Sequence, residues 1–139
     1  MRKVPFFKPS IGKSEIDEVV DTLNSGWLTT GPKTKQFEEE FAQYMQHPHA
    51  VAVNSCTAAL HLALDAIGLQ EGDVVVVPTM TFAATAEVVR YFKAHPLLVD
   101  CRPEDFNLDV KDAEARIEAA LKRGERVVAI IPMHYGGQM

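Results

Sequence analysis

The 139-residue sequence has only two cysteines, Cys56 and Cys101, and their separation matches no metal-binding or redox motif. We therefore expect reduced thiols, the usual state in a cytoplasmic protein. No apolar run approaches the roughly 20 residues that a membrane-spanning helix needs. The basic residues near the N-terminus also lack the long apolar segment that follows them in a signal peptide. We predict a cytoplasmic protein without a membrane partner.

The sequence has fewer basic than acidic residues. The chain has 14 Lys and Arg against 19 Asp and Glu, which gives a formal net charge of −5. Because the basic residues are scattered, the sequence lacks the patch by which proteins bind nucleic acid or an anionic membrane surface. Its composition, 47% hydrophobic and 24% charged, is that of a globular protein. The length fits a single domain over residues 1–139.

Apolar segments with strand and helix character alternate along the chain. Continuously apolar runs predict short strands at residues 51–53, 74–77, 97–99 and 127–131. Segments with helical spacing of their apolar residues predict helices that include Ile16–Leu23, Phe37–Met45, Leu60–Ile67, Phe82–Phe92 and Val110–Leu121. Continuously apolar strands are typical of a parallel sheet covered by helices on both faces. The sequence therefore predicts a three-layer α/β sandwich.

Individual residues predict where two of these helices begin and end. Ser14 is placed to cap the first helix, with Asp17 as a weak capping-box partner. Gly68 follows the third helix and is expected to end it.

A small polar turn, Asn54–Thr57, joins the predicted strand at residues 51–53 to the third helix. The first turn of a helix has backbone N–H groups without internal acceptors, and the helix dipole adds partial positive charge there. Small side chains let a phosphate approach these groups, and the hydroxyls of Ser55 and Thr57 add donors. The alternative is an ordinary cap, in which Ser55 or Asn54 binds only its own helix. Taken by itself, the turn favours the cap, because such caps occur at most helix starts.

Four blocks of the sequence, taken together, point to a known family. They are residues 25–32, 50–68, 78–86 and 131–137. In this order and at these separations they resemble the pyridoxal-phosphate-dependent nucleotide-sugar aminotransferases of the DegT/StrS type. The resemblance extends from about Val4 to the last residue. It implies the N-terminal portion of the cofactor-binding large domain of a fold-type-I, aspartate-aminotransferase-like enzyme.

The resemblance implies roles for the polar turn. Thr57 and Ala58 would hold the phosphate of pyridoxal 5′-phosphate, largely through their backbone N–H groups. Ser55 and Cys56 would shape the turn, although a smaller residue is expected at position 56.

The resemblance also implies roles for residues in two other blocks. Phe82 would stack on the pyridine ring of the cofactor. Thr29 and Thr30 would border the sugar-nucleotide site. Without the resemblance, Phe82 would be interpreted as a core aromatic at a helix start, and the threonines as part of a surface turn set by residues 31–32.

Pyridoxal chemistry requires a lysine that forms a Schiff base and an acid beside the pyridine nitrogen. In the family both follow the position where this sequence ends, so we assign no catalytic residue here and expect a truncated, inactive chain. The parent enzyme would transfer an amino group from glutamate to a keto-sugar nucleotide, in amino-sugar or cell-surface polysaccharide biosynthesis. The resemblance implies a homodimer with active sites at the dimer interface.

Other interpretations of the sequence remain. A non-catalytic binding or assembly module with the same fold would also lack the lysine. Cys56 near a helix start, with His61 five residues later, would suit a thiol enzyme, but residues five apart on a helix do not face each other. His47 and His49 lie on a turn without further ligands, so we predict no metal site.

Overall fold

The computed structural model describes residues 4, 5 and 7–139. The chain divides between Ala52 and Val53 into two compact units. The described residues of the first unit form two helices, α1 (Lys13–Ser25) and α2 (Pro32–Tyr44). The second unit contains the sheet and the remaining helices. Among the described residues, no helix combines the length and apolar character needed to cross a bilayer.

The first helix of this unit begins differently from the prediction. Gly12 is the N-cap residue of α1, and its N–H donates to the carboxylate of Glu15 at 2.5 Å. The predicted cap at Ser14 with Asp17 is therefore wrong, since a glutamate in the first turn already binds the backbone at this helix start. In α2, Pro32 occupies the first position, where its missing N–H costs nothing.

The second unit is a three-stranded parallel sheet with helices between the strands. The strands are β1 (Val74–Pro78), β2 (His95–Val99) and β3 (Val127–Ile130), in the order β2-β1-β3. The helices are α3 (Cys56–Ala66), α4 (Ala84–Tyr91) and α5 (Val110–Lys122). As predicted, Gly68 follows α3 in the left-handed conformation, with φ +72°.

The central strand β1 is buried along its whole length and separates two apolar cores. Val75 packs in one core with Leu64 of α3 and with residues of α4. Val76 packs in the other core with Ala113 of α5. Because successive side chains of a strand point to opposite faces, α3 and α4 cover one face of the sheet and α5 covers the other. The predicted three-layer α/β fold is confirmed.

The strand predicted at residues 51–53 does not form. This segment is irregular, and Val51 is largely exposed. The N–H of Ala52 donates to the carboxylate of Glu38 at 2.8 Å instead of to a strand. A three-residue apolar run becomes a strand only beside another strand, and none pairs with it within the described part of the chain.

An ion pair at the amino ends of the strands joins the segments that precede β1 and β3. Arg126 donates from Nε and Nη2 to the two carboxylate oxygens of Asp73, each at 2.6 Å. Asp73 is buried, and its Oδ2 also accepts the N–H of Gln70 at 2.9 Å. The hydrogen bond from Arg126 is the main cause that holds the pKa of Asp73 below its ordinary value of 3.8.

We expect the Asp73→Asn variant to melt several degrees below the wild type at pH 7. Its melting temperature should also change less than that of the wild type as the pH is lowered. A carboxyl whose pKa is lowered by folding stabilises the fold above its unfolded pKa, and this is lost as pH falls through the folded pKa. The melting temperature of the wild type should therefore decrease once the pH is lower than about 4. Thermal scans from pH 7 to pH 2 test this, with exposed Asp65→Asn as the control. Identical scans for Asp73→Asn and the wild type would contradict it.

Candidate functional site

The loops that follow the three strands all emerge at one edge of the sheet, because the strands are parallel. They cover residues 79–83 after β1, 100–109 after β2 and 131–134 after β3. Ligands of such sheets bind outside the carboxyl ends of the strands. The first loop stays close to β2, since the N–H of Thr79 donates to the carbonyl of Val99 at 2.8 Å.

The start of α3 has both a cap and unpaired donors. Ser55 is the N-cap residue, and its Oγ accepts the N–H of Ala58 at 3.1 Å. The N–H of Ala59 donates to the carbonyl of Ser55 at 3.1 Å. The N–H groups of Cys56 and Thr57 have no acceptor among the described residues. Two backbone donors at the positive end of the helix dipole are therefore available to an anion.

The cap and an anion site are compatible at this helix start. A serine hydroxyl has one donor and two lone pairs, so Ser55 can accept from Ala58 and donate to another group at the same time. In the structure its hydroxyl donates to Oδ1 of Asn54 at 3.4 Å, and an anion would replace this long hydrogen bond. The sequence interpretation assigned Thr57 and Ala58 as the phosphate donors. In the structure the Ala58 N–H is bound to Ser55, whereas that of Cys56 is unpaired. The unpaired backbone N–H groups at this helix start are therefore those of Cys56 and Thr57, and that of Ala58 is not among them.

Phe82 lies in the loop between β1 and α4, and 78% of its surface is exposed. The interpretation as a core aromatic is therefore wrong. Helix α4 begins at Ala84, two residues after Phe82, and the hydroxyls of Thr81 and Thr85 lie 2.8 Å apart across this start. The ring is an exposed flat apolar surface near the carboxyl end of β1.

Thr29 and Thr30 belong to the first unit, in the loop between α1 and α2. The indole N–H of Trp27 donates to the carbonyl of Thr30 at 3.0 Å. Thr29, Trp27 and Gly31 help to line a cavity of about 380 Å³ within this unit. The loop therefore has its own internal structure, in which Trp27 packs directly on the backbone of Gly31.

We expect Gly31→Ala to displace the indole of Trp27. A Cβ atom at position 31 would lie 2.0 Å from Nε1 and 2.3 Å from Cδ1 of the ring, far inside contact distance. Because Trp27 is the only tryptophan in the sequence, its fluorescence emission should shift in this variant. Thr30→Ser is the matched control, since it retains the carbonyl that accepts from the indole. Equal emission spectra for Gly31→Ala and the wild type would show that the ring does not pack on this glycine.

The sequence interpretation missed Asn107, in the loop after β2. The residue is only 8% exposed, and its Oδ1 accepts the N–H of Tyr135 at 3.0 Å. The neighbouring Phe106 ring lies 5.2 Å from the ring of Tyr135. An asparagine in a loop signals a turn, and nothing in the local sequence indicates a contact with residue 135.

Neither a thiol site nor a metal site is formed by the residues considered for them. Cys56 is exposed, while the imidazole of His61 packs edge-on against Tyr91 and Phe92, with centroids 5.5 and 5.1 Å apart. His61 thus packs against aromatic rings. Within the part of the chain that the structure describes, no three His, Cys, Asp or Glu residues group as metal ligands.

Comparison with known proteins gives consistent matches. Residues 9–139 match the DegT/DnrJ/EryC1/StrS aminotransferase family. The spore coat polysaccharide biosynthesis protein SpsC of Bacillus subtilis is 47% identical over 135 residues, which are 97% of this chain and 33% of SpsC. An uncharacterized protein of Methanocaldococcus jannaschii is 46% identical over 134 residues, 96% of this chain and 33% of that protein.

Solved structures agree with these sequence matches. The putative sugar aminotransferase Spr1654 from Streptococcus pneumoniae, in its PMP form, superposes with a TM-score of 0.80 and 42% identity. The match covers 94% of this chain and 32% of Spr1654. A DegT DnrJ EryC1 StrS aminotransferase from Brucella abortus gives a TM-score of 0.83 at 34% identity, covering 91% of this chain and 36% of that one. The chain spans about a third of the length of the relatives it matches.

Proposed function

Because the chain belongs to the DegT/DnrJ/EryC1/StrS aminotransferase family, we propose that it is the N-terminal third of a pyridoxal-phosphate-dependent sugar aminotransferase. The observation that most supports this is the family match over nearly the whole chain, together with the unpaired N–H groups at the start of α3. Relatives of similar fold include the putative sugar aminotransferase Spr1654 in PLP and PMP forms. We further propose that residues 1–139 are part of the large domain.

The start of α3 fits the phosphate of pyridoxal 5′-phosphate. The N–H groups of Cys56 and Thr57 would bind its oxygens. The Ser55 hydroxyl would turn from Asn54 to the phosphate and add a donor while it still caps the helix. Ala58 follows without a side chain large enough to obstruct the turn. The exposed ring of Phe82 would pack on the pyridine ring and orient it. When bound, the cofactor supplies an electron sink for transfer of an amino group.

The substrates proposed are glutamate as amino donor and a keto-sugar nucleotide as acceptor. The family, and the polysaccharide-biosynthesis name of SpsC, support a sugar acceptor. Thr29 and Thr30 are proposed to contact the sugar nucleotide. The Schiff-base lysine and the acid for the pyridine nitrogen are proposed to come from the remainder of a full-length cytoplasmic homodimer. We accordingly propose that the 139-residue chain alone does not turn over substrate.

The function is tested by incubating the full-length gene product with pyridoxal 5′-phosphate, glutamate and a panel of keto-sugar nucleotides. Mass spectrometry should detect an amino-sugar nucleotide, and omission of glutamate should abolish it. The 139-residue chain under the same conditions should yield none. Cofactor binding by the full-length protein without product from any keto-sugar nucleotide would instead favour a non-catalytic binding module.

A further inference from the structure

The loop after β2 contains a compact segment, Cys101–Leu108, which we call the clasp. It is closed by an antiparallel bridge between Cys101 and Leu108, and the N–H of Arg102 donates to the carbonyl of Asn107 at 2.8 Å. Inside it, the N–H of Asn107 donates to Oδ1 of Asp105 at 3.0 Å. These bonds make the clasp an ordered turn at the carboxyl edge of the sheet.

The clasp contacts both of the other loops at this edge. Sγ of Cys101 accepts the N–H of Met80 at 3.4 Å, in the loop that contains Phe82. Oδ1 of Asn107 accepts the N–H of Tyr135, at the end of the loop after β3. Because β2 and β3 lie on opposite sides of β1, the hydrogen bond between Asn107 and Tyr135 joins the segments that follow the two outer strands.

The clasp adopts this geometry at an energetic cost. Phe106 has φ +60°, in the left-handed region that non-glycine residues avoid. The Nδ2 group of Asn107 is buried and has no hydrogen-bond partner among the described residues. An apolar side chain of similar size would avoid the buried donor but would leave the N–H of Tyr135 without its acceptor. The specific contribution of Asn107 is therefore the acceptor that it offers to residue 135.

We propose that Asn107 is a positioning residue of the candidate cofactor site. By holding Tyr135 it fixes the loop after β3 against the clasp, and the clasp in turn holds the loop with Phe82. This role rests on the proposed function, because it concerns the orientation of the cofactor ring. The phosphate would be held separately, at the start of α3.

Three variants separate this role from simple packing. Asn107→Leu removes the acceptor while keeping a side chain of similar size. Tyr135→Pro removes the donor from the other side, at the first position of a short 3₁₀ helix (Tyr135–Gly137), where proline is tolerated. Tyr135→Phe keeps both the N–H and the ring and is the control.

The first measurement is amide hydrogen exchange by NMR in the 139-residue chain, which requires no cofactor. The Tyr135 amide should exchange at least about tenfold faster in Asn107→Leu, the effect expected when a hydrogen bond of about 1.4 kcal/mol is lost. Amides of β1 should be unchanged, and Tyr135→Phe should match the wild type. Unchanged exchange of Tyr135 in Asn107→Leu would overturn the proposal.

The second measurement is kinetics of the full-length protein. Asn107→Leu and Tyr135→Pro should each lower kcat about 10- to 100-fold, as expected for a misplacement of reacting groups. The affinity for pyridoxal 5′-phosphate should change less than about threefold, since the helix start holds the phosphate. The double variant should lower kcat no more than either single variant does. Unchanged kcat, or a parallel loss of kcat, affinity and melting temperature, would overturn the positioning role. A wild-type protein that binds no cofactor would overturn the proposed function itself, and this role with it.

Discussion

Thr57→Asp is expected to lower the affinity of the full-length protein for pyridoxal 5′-phosphate by about 100- to 1,000-fold. The new carboxylate would lie beside the N–H groups proposed to bind the phosphate. Two like charges about 4 Å apart near a protein surface repel by roughly 4 kcal/mol. A negative side chain in the first turn of α3 also interacts favourably with the helix dipole. The variant should therefore melt no lower than the wild type. Cofactor titration followed by absorbance measures the affinity, and thermal unfolding measures the stability.

Ser14→Asp provides the matched control for this prediction. Ser14 lies in the first turn of α1, an exposed helix start in the first unit. The same charge there should leave cofactor affinity within about twofold of the wild type, because no phosphate site is proposed at that helix. Equal affinities for Thr57→Asp and Ser14→Asp would show that the cofactor phosphate binds elsewhere.

Leu64→Ala is expected to lower the free energy of unfolding by about 2–5 kcal/mol. Leu64 is 3% exposed and packs with Val75 and Val77 of β1. The loss is large against the roughly 5–15 kcal/mol by which a typical domain is stable. It should also loosen the start of α3, because this helix holds the polar turn through its packing on the sheet.

The control for Leu64→Ala is on the same helix. Leu62 is 51% exposed, so Leu62→Ala removes a side chain of the same kind with little change in burial. It should cost less than about 1 kcal/mol. Urea unfolding followed by circular dichroism gives both values. A larger loss of unfolding free energy for Leu62→Ala than for Leu64→Ala would mean that α3 packs on the sheet through the face that contains Leu62.

Elements with a strong local pattern were predicted correctly from the sequence. The apolar run at 74–77 became the buried central strand β1, and the spacing of Leu60 and Leu64 became α3, ended by Gly68. These patterns are sufficient to predict an element because a continuously apolar run and a helical spacing can both be recognised from residues close together in the sequence. The segment at 51–53 failed for the opposite reason, since a strand needs a partner that the run itself does not specify.

The candidate site was only partly accessible to sequence reasoning. The polar turn could be placed at a helix start, but the division of roles was visible only in the structure: Ser55 binds the Ala58 N–H, and Cys56 and Thr57 remain unpaired. Asn107 could not be found, because its partner Tyr135 is 28 residues away and the contact depends on how two loops meet. The exposure of Phe82 likewise depends on α4 starting after it.

The Asp73–Arg126 ion pair lies at the amino ends of the strands, whereas the clasp and the loop that contains Phe82 lie at their carboxyl ends. The length of the strands thus separates this ion pair from the loops that would contact a ligand. Substitutions around Asp73 are expected to change the melting temperature without moving the Phe82 loop, because distant sites without shared partners act independently. In this unit, thermal stability and the geometry of the loops at the carboxyl edge can therefore change through substitutions at different residues.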